Sequence, residues 1–158
     1  MTRRVKTYVV PSDDPRNRDK TKTFVITEMS AFDGEDWAIR ALRLAQKSGV
    51  NVPGGLNAGM QGVAAVGILA LLEGSDDIDE VRELLREMMA CVKIMTDQKT
   101  MFTRPLVERD KDDDNNDIQE ISTRVILRRE WLNLHLDFTL ADALSELVAK
   151  PPGTTSAI

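Results

Sequence analysis

The sequence predicts a predominantly α-helical α+β fold, in which an N-terminal β-hairpin packs on a bundle of four to five helices. Two short runs rich in β-forming residues flank a turn-rich segment, and apolar residues recur at three- and four-residue spacing through most of the remaining chain. The 158 residues, 42% of them apolar and 30% charged, suit one soluble globular domain. We expect a single domain over residues 1–150, with the hairpin at 5–28, the helical part at 30–149 and a flexible C-terminal tail at 151–158.

The hairpin is predicted from two extended segments. Lys6–Val10 is rich in Thr, Tyr and Val and ends before Pro11, and residues 21–27 alternate so that Phe24 and Ile26 share one face. The residues between these segments are mainly Pro, Ser, Asp and Asn, which favour turns. Because an isolated hairpin is marginally stable in water, we expect this one to pack on the helices.

The first two helices follow the hairpin. Ser30 and Asp33 resemble a capping box at the start of a helix that stops at Gly49. Residues 58–72 predict a second helix that is apolar nearly all round, which is typical of a core or an oligomer interface. Its continuous apolar part, Val63–Leu72, is about half the ~20 residues that a membrane span needs. With no signal peptide visible, we expect a cytoplasmic protein.

A third helix is predicted over residues 79–95, with Asp76 or Asp77 as its N-cap. Its apolar residues recur at three- and four-residue spacing, opposite a charged face. Residues 100–107, which include Pro105, are expected to form an extended connector.

A fourth helix is predicted over residues 118–136, and a short last helix over 140–149. The acidic run before the fourth helix suits the positive end of its dipole. Its predicted core stripe consists of Ile121, Val125, Leu132 and Leu136.

Few residues offer catalytic or metal-binding chemistry. The single histidine, His135, and the single cysteine, Cys91, exclude a His-rich or Cys-based metal site and an intrachain disulfide. We expect His135 to be a partly buried structural residue and Cys91 a buried, inert thiol inside the third helix. The glycines form neither a Walker nor a dinucleotide-binding motif, and no nucleophile elbow is present. The sequence therefore predicts no enzyme activity, no cofactor and no catalytic residues.

Residues 108–120 carry seven acidic side chains and invite comparison with an EF-hand. Acids occupy the first, third and fifth positions of such a loop: Asp110, Asp112 and Asp114. However, Asn115 replaces the required glycine and Ile121 replaces the bidentate glutamate. We expect a solvated loop, with weak divalent binding left open.

Charge and composition also bear on partners. The first 24 residues carry a local net charge of about +4, but only 4% of the chain is aromatic, so a base-stacking nucleic-acid platform is not expected. Trp and Met side chains serve as interface anchors in other proteins, although they are more often core. The candidates for a partner interface are Trp37, Met60, Val63, Val66, Met88, Met89 and Trp131.

Four segments together carry a family resemblance. They are Phe24–Leu42, which contains the Trp-Ala-Ile-Arg-Ala-Leu motif, the Gly-rich Gly62–Gly67, Arg104–Leu106 and Leu134–Phe138. In this order they resemble the tail assembly chaperones of long-tailed bacteriophages and prophages. The likeness covers roughly residues 5–140.

The resemblance implies a function in virion assembly. Such chaperones bind and keep soluble the tape measure protein and, through a longer form made by programmed frameshifting, recruit tail tube subunits during tail morphogenesis. The tail at 151–158 lies where the frameshift junction would fall. The family supplies no catalytic residues, and it implies a homo-oligomer in the host cytoplasm that is absent from the mature virion. The alternative is a minor structural tail protein, such as a terminator or connector.

Overall fold

The computed structural model describes residues 2–47 and 77–136. The predicted helices at 58–72 and 140–149 and the tail at 151–158 lie outside the described residues. Within the described ranges, one turn of 3-10 helix at Asp113–Asn115 precedes the last helix. In chain order the elements are β1 (Val5–Val9), β2 (Thr23–Thr27), α1 (Ala31–Lys47), α2 (Ile78–Ala90), β3 (Val92–Asp97), β4 (Phe102–Pro105) and α3 (Ile121–Leu136).

The predicted arrangement of a hairpin on a bundle of four to five helices is wrong. The described residues form a four-stranded antiparallel sheet in the order β1-β2-β3-β4, with three helices. The predicted helix at 79–95 ends at Ala90, and the chain then returns as β3. The connector at 100–107 contains β4. Periodicity missed β3 because Val92 and Met95 continue the spacing of the preceding helix, and a short apolar run fits either structure.

The hairpin itself is confirmed, and it forms half of the sheet. Tyr8 in β1 lies opposite Phe24 in β2, which lies opposite Ile94 in β3. Because side chains alternate along a strand, these three residues share one face of the sheet, which we call the inner face.

The hydrophobic core lies between the inner face and the helices. Trp37 and Trp131 pack with their ring centroids 4.9 Å apart, and Trp37 Nε1 donates a hydrogen bond to the carbonyl of Leu84, which joins α1 to α2. The core is built from buried residues of the inner strands and all three helices, among them Phe24, Ile26, Trp37, Leu84, Val92, Leu127 and Trp131.

The helix starts are fixed by side-chain caps. The Oγ of Ser30 accepts the Asp33 N–H at 3.1 Å and donates to the Asp33 carboxylate at 2.6 Å, so the predicted cap is confirmed with a local variant of the capping box. Asp77, one of the two predicted caps of α2, accepts from the Glu80 N–H at 3.3 Å. Each cap satisfies an N–H group that the helix leaves unpaired.

The predicted core stripe of α3 is wrong at its first two positions. Ile121 is 81% exposed and Val125 is 55% exposed, whereas Leu127, Trp131 and Leu132 are almost fully buried. Apolar residues occur on several sides of this helix, so spacing alone does not choose the buried side. None of the described helices combines the length and apolarity that a membrane crossing requires.

Candidate interaction surface

The side of the sheet opposite the core is an exposed, partly apolar surface. Alternation and register place ten side chains on this outer face, five apolar and five polar: Val5, Thr7, Val9, Thr23, Val25, Thr27, Lys93, Met95, Thr103 and Pro105. Val5 is 56% exposed and Val9 is 54% exposed. Antiparallel sheets that face water on one side usually carry polar residues there, and grouped apolar residues mark contact sites for other chains.

Seven residues were predicted to form a partner interface, and the four that the structure describes do not lie at this surface. Four are core residues with 2% exposure: Trp37, Met88, Met89 and Trp131. The other three lie outside the described residues: Met60, Val63 and Val66. Their role at an interface stays a prediction, and the exposed apolar positions of the described sheet are different ones.

His135 is held by backbone groups at both ring nitrogens. Nε2 accepts from the Met29 N–H at 2.9 Å, so the ring proton is assigned to Nδ1, which lies 2.8 Å from the Trp131 carbonyl. The imidazole also stacks on the Trp131 ring, with centroids 4.0 Å apart. Burial lowers the pKa of His135, which favours the neutral form that this geometry needs. The predicted structural histidine is confirmed: it joins α3 to the segment between β2 and α1.

Cys91 caps α2 rather than lying inside a longer helix. It lines an open cleft of about 460 Å³ between α1, α2 and the ends of β2 and β3. Burial raises the pKa of the Cys91 thiol, which opposes formation of a nucleophilic thiolate. Carboxylates beside the cleft are already paired, Glu28 with Arg4 and Glu87 with Arg40. This cleft therefore offers no activated nucleophile among the described residues.

The acidic segment does more than contact solvent, because Asp117 is buried. Arg104 donates to both its oxygens at 2.7 and 2.8 Å, and the Val107 N–H donates at 2.6 Å. Burial raises the pKa of Asp117, but these hydrogen bonds and the positive charge of Arg104 outweigh it and leave the pKa below its usual value. Asp117 thus joins the acidic segment to β4.

Among the described residues, no group of three or more His, Cys, Asp or Glu side chains is arranged to hold a metal ion.

A second buried carboxylate, Asp19, joins the hairpin loop to the start of α3. Its oxygens accept from the backbone N–H of Gln119 at 3.0 and 3.2 Å, from the N–H of Glu120 at 2.9 Å and from Lys22 Nζ at 2.8 Å. Asp19 has no exposed surface. Burial raises its pKa, but the bonds from Lys22, Gln119, Thr123 and Glu120 outweigh that and lower it overall.

Sequence reasoning missed these two carboxylates and the outer face. Nothing in the local pattern distinguishes Asp19 or Asp117 from the other acids of their polar loops. The outer face did have a signal: Val5, Thr7 and Val9 alternate along the strand, so they share one side.

Comparison of the chain with protein-family models, curated proteins and solved structures gives no match.

Proposed function

We propose that this protein acts by binding other protein chains, as a phage tail assembly chaperone. In this function it binds the tape measure protein, keeps it soluble before the tail tube forms, and recruits tail tube subunits through a longer frameshifted form. It works as a homo-oligomer in the bacterial host cytoplasm and is absent from the finished virion.

The observation that carries this proposal is the exposed outer face of the sheet. Valine side chains at two edge positions are more than half exposed, although burying a valine typically gains about 1.5–3 kcal/mol. A surface that keeps such residues in water suits a partner that covers them. The family resemblance of the sequence motifs implies that this partner is the long, helix-rich tape measure protein.

The chemistry of the described residues agrees with a binding function. His135 uses both ring nitrogens for backbone hydrogen bonds, and the pKa of Cys91 is raised. Neither residue is set up as a base or nucleophile.

Co-purification tests the proposal. The tagged full-length protein is co-expressed with the protein encoded directly downstream, and we expect a long coiled-coil client to be captured and kept in the soluble fraction. Failure of the wild-type protein to capture it would refute the proposal. Detection of the protein in purified virions by mass spectrometry would favour the structural alternative.

Two matched variants test whether the outer face is the client surface. Val25→Glu places a carboxylate on this face beside Lys93, its cross-strand neighbour, so the local charge pair preserves the fold. Ile78→Glu adds the same charge at the first turn of α2, where the helix dipole favours it. We expect Val25→Glu to lower client capture and Ile78→Glu to leave it unchanged.

A further inference from the structure

The two edges of the sheet are protected to different degrees. The β4 edge is short, contains Pro105 and follows a bulge between Met95 and Asp97, and each of these features discourages pairing with another strand. The β1 edge has five residues, no proline and no bulge. In the described part of the chain, β1 has β2 as its single neighbour.

Hydrogen bonds near the two ends of β1 show which backbone groups face outward. The Glu28 N–H donates to the Arg4 carbonyl, and the Val10 N–H donates to the Lys22 carbonyl. In an antiparallel pair, residues alternate between bonding to one side and to the other. Even-numbered residues of this segment therefore bond to β2, and the N–H and C=O groups of Val5, Thr7 and Val9 point away from the sheet.

We propose that the β1 edge pairs with β1 of a second copy of this chain, antiparallel and centred on Thr7. This register sets Val5 against Val9 of the partner subunit, and every outward N–H and C=O group of the three residues meets a partner. The exposed valines then lie side by side on a continuous outer face.

The symmetry of the strand supports a second copy as the occupant. The outward-bonding residues are Val5, Thr7 and Val9, so their order is the same in both directions from Thr7. An antiparallel two-fold pairing therefore makes the same contacts twice, and the edge is complementary to itself. The pair joins two sheets into one, which doubles the surface assigned above to the client.

The inference names the interface of the homo-oligomer. It rests on the proposed function only for the reason that the protein self-associates, and the geometry of the interface is argued from the β1 edge. Crosslinking reports on the interface, whereas client capture reports on the function, so either can fail alone. An edge of this length buries less than a standard interface, and we expect association to depend on concentration.

Crosslinking of the full-length protein tests the geometry. Thr7→Cys is made in a Cys91→Ala background, with Thr103→Cys on the opposite edge as the matched control. Residues directly opposite in a hydrogen-bonded antiparallel pair have Cα atoms about 5.5 Å apart, within disulfide range. Mild oxidation should give a covalent dimer with Thr7→Cys and little with Thr103→Cys. Equal crosslinking of the two variants, or none with Thr7→Cys, overturns the proposal.

Sedimentation equilibrium gives a second measurement without cysteines. Thr7→Pro removes the central outward N–H but no hydrogen bond to β2, and an edge strand tolerates proline there. We expect about tenfold weaker dimerisation, with an unchanged circular dichroism spectrum. Unchanged dimerisation of a folded Thr7→Pro protein, or a wild-type protein that is monomeric at every concentration, also overturns it.

Discussion

Replacement of Asp19 by alanine should be among the most destabilising changes in a polar residue of this protein. The carboxylate is fully buried and binds two backbone N–H groups at the entry to α3 together with Lys22. An orphaned buried donor costs about 1–3 kcal/mol, and loss of a helix-capping side chain about 1 kcal/mol. Lys22 can be hydrated again in the variant, and the costs of the lost cap and of the orphaned donors overlap. We therefore expect the free energy of unfolding to fall by about 3 kcal/mol.

Urea denaturation measures this change. The midpoint should fall at an unchanged m value, because the mutation alters stability and not the surface exposed on unfolding. Asp97→Ala is the matched control: Asp97 also accepts a backbone N–H, from Lys99 at 2.9 Å, but it is exposed. If Asp19→Ala is no more destabilising than Asp97→Ala, the reasoning about burial is refuted.

The acid limb of the stability curve gives a related check on Asp19. Because its pKa is lowered in the folded protein, its contribution is present above the unfolded pKa of about 3.9 and is lost as the pH falls through the folded value. Asp19→Asn should therefore flatten the loss of unfolding free energy below about pH 4. An acid limb identical to that of the wild type would contradict the assignment.

Three further predictions concern the helices. Because the pKa of His135 is lowered on folding, the unfolded chain binds a proton more readily than the folded protein. The free energy of unfolding should therefore decline as the pH falls below about 6.5. His135→Gln should remove this pH dependence in urea titrations, and a pH dependence that persists in the variant would contradict the prediction. Arg40 in α1 binds Glu87 in α2 through two hydrogen bonds of 2.6 and 2.5 Å. Because both side chains are over a quarter exposed, a double-mutant cycle should give a coupling energy of about 1 kcal/mol. A coupling energy of zero would refute a stabilising role for this pair. Leu127→Ala should cost about 2–5 kcal/mol and Ile121→Ala under about 0.5 kcal/mol by thermal or urea unfolding, and the reverse order would show that α3 is rotated.

Features set by neighbouring residues were accessible from the sequence. The alternation of Phe24 and Ile26 predicted a strand with a buried face, because successive side chains must point to opposite sides. Ser30 and Asp77 predicted helix starts, because a short polar side chain there satisfies a nearby N–H group. Each of these inferences concerns atoms within a few residues of one another.

The tertiary structure decided what depends on distant partners. The segment from Val92 continues a helical spacing, but it forms a strand because β2 offers an unpaired edge. In α3, apolar side chains occur on more than one side, and the Trp37 ring packed against Trp131 determines which side is buried. Asp19 is an ordinary loop acid until residues about one hundred positions away supply its donors. Short-range patterns therefore predicted the hairpin strands and the helix starts, whereas the pairing of β3 with β2, the buried side of α3 and the burial of Asp19 arise from contacts between residues far apart in the chain.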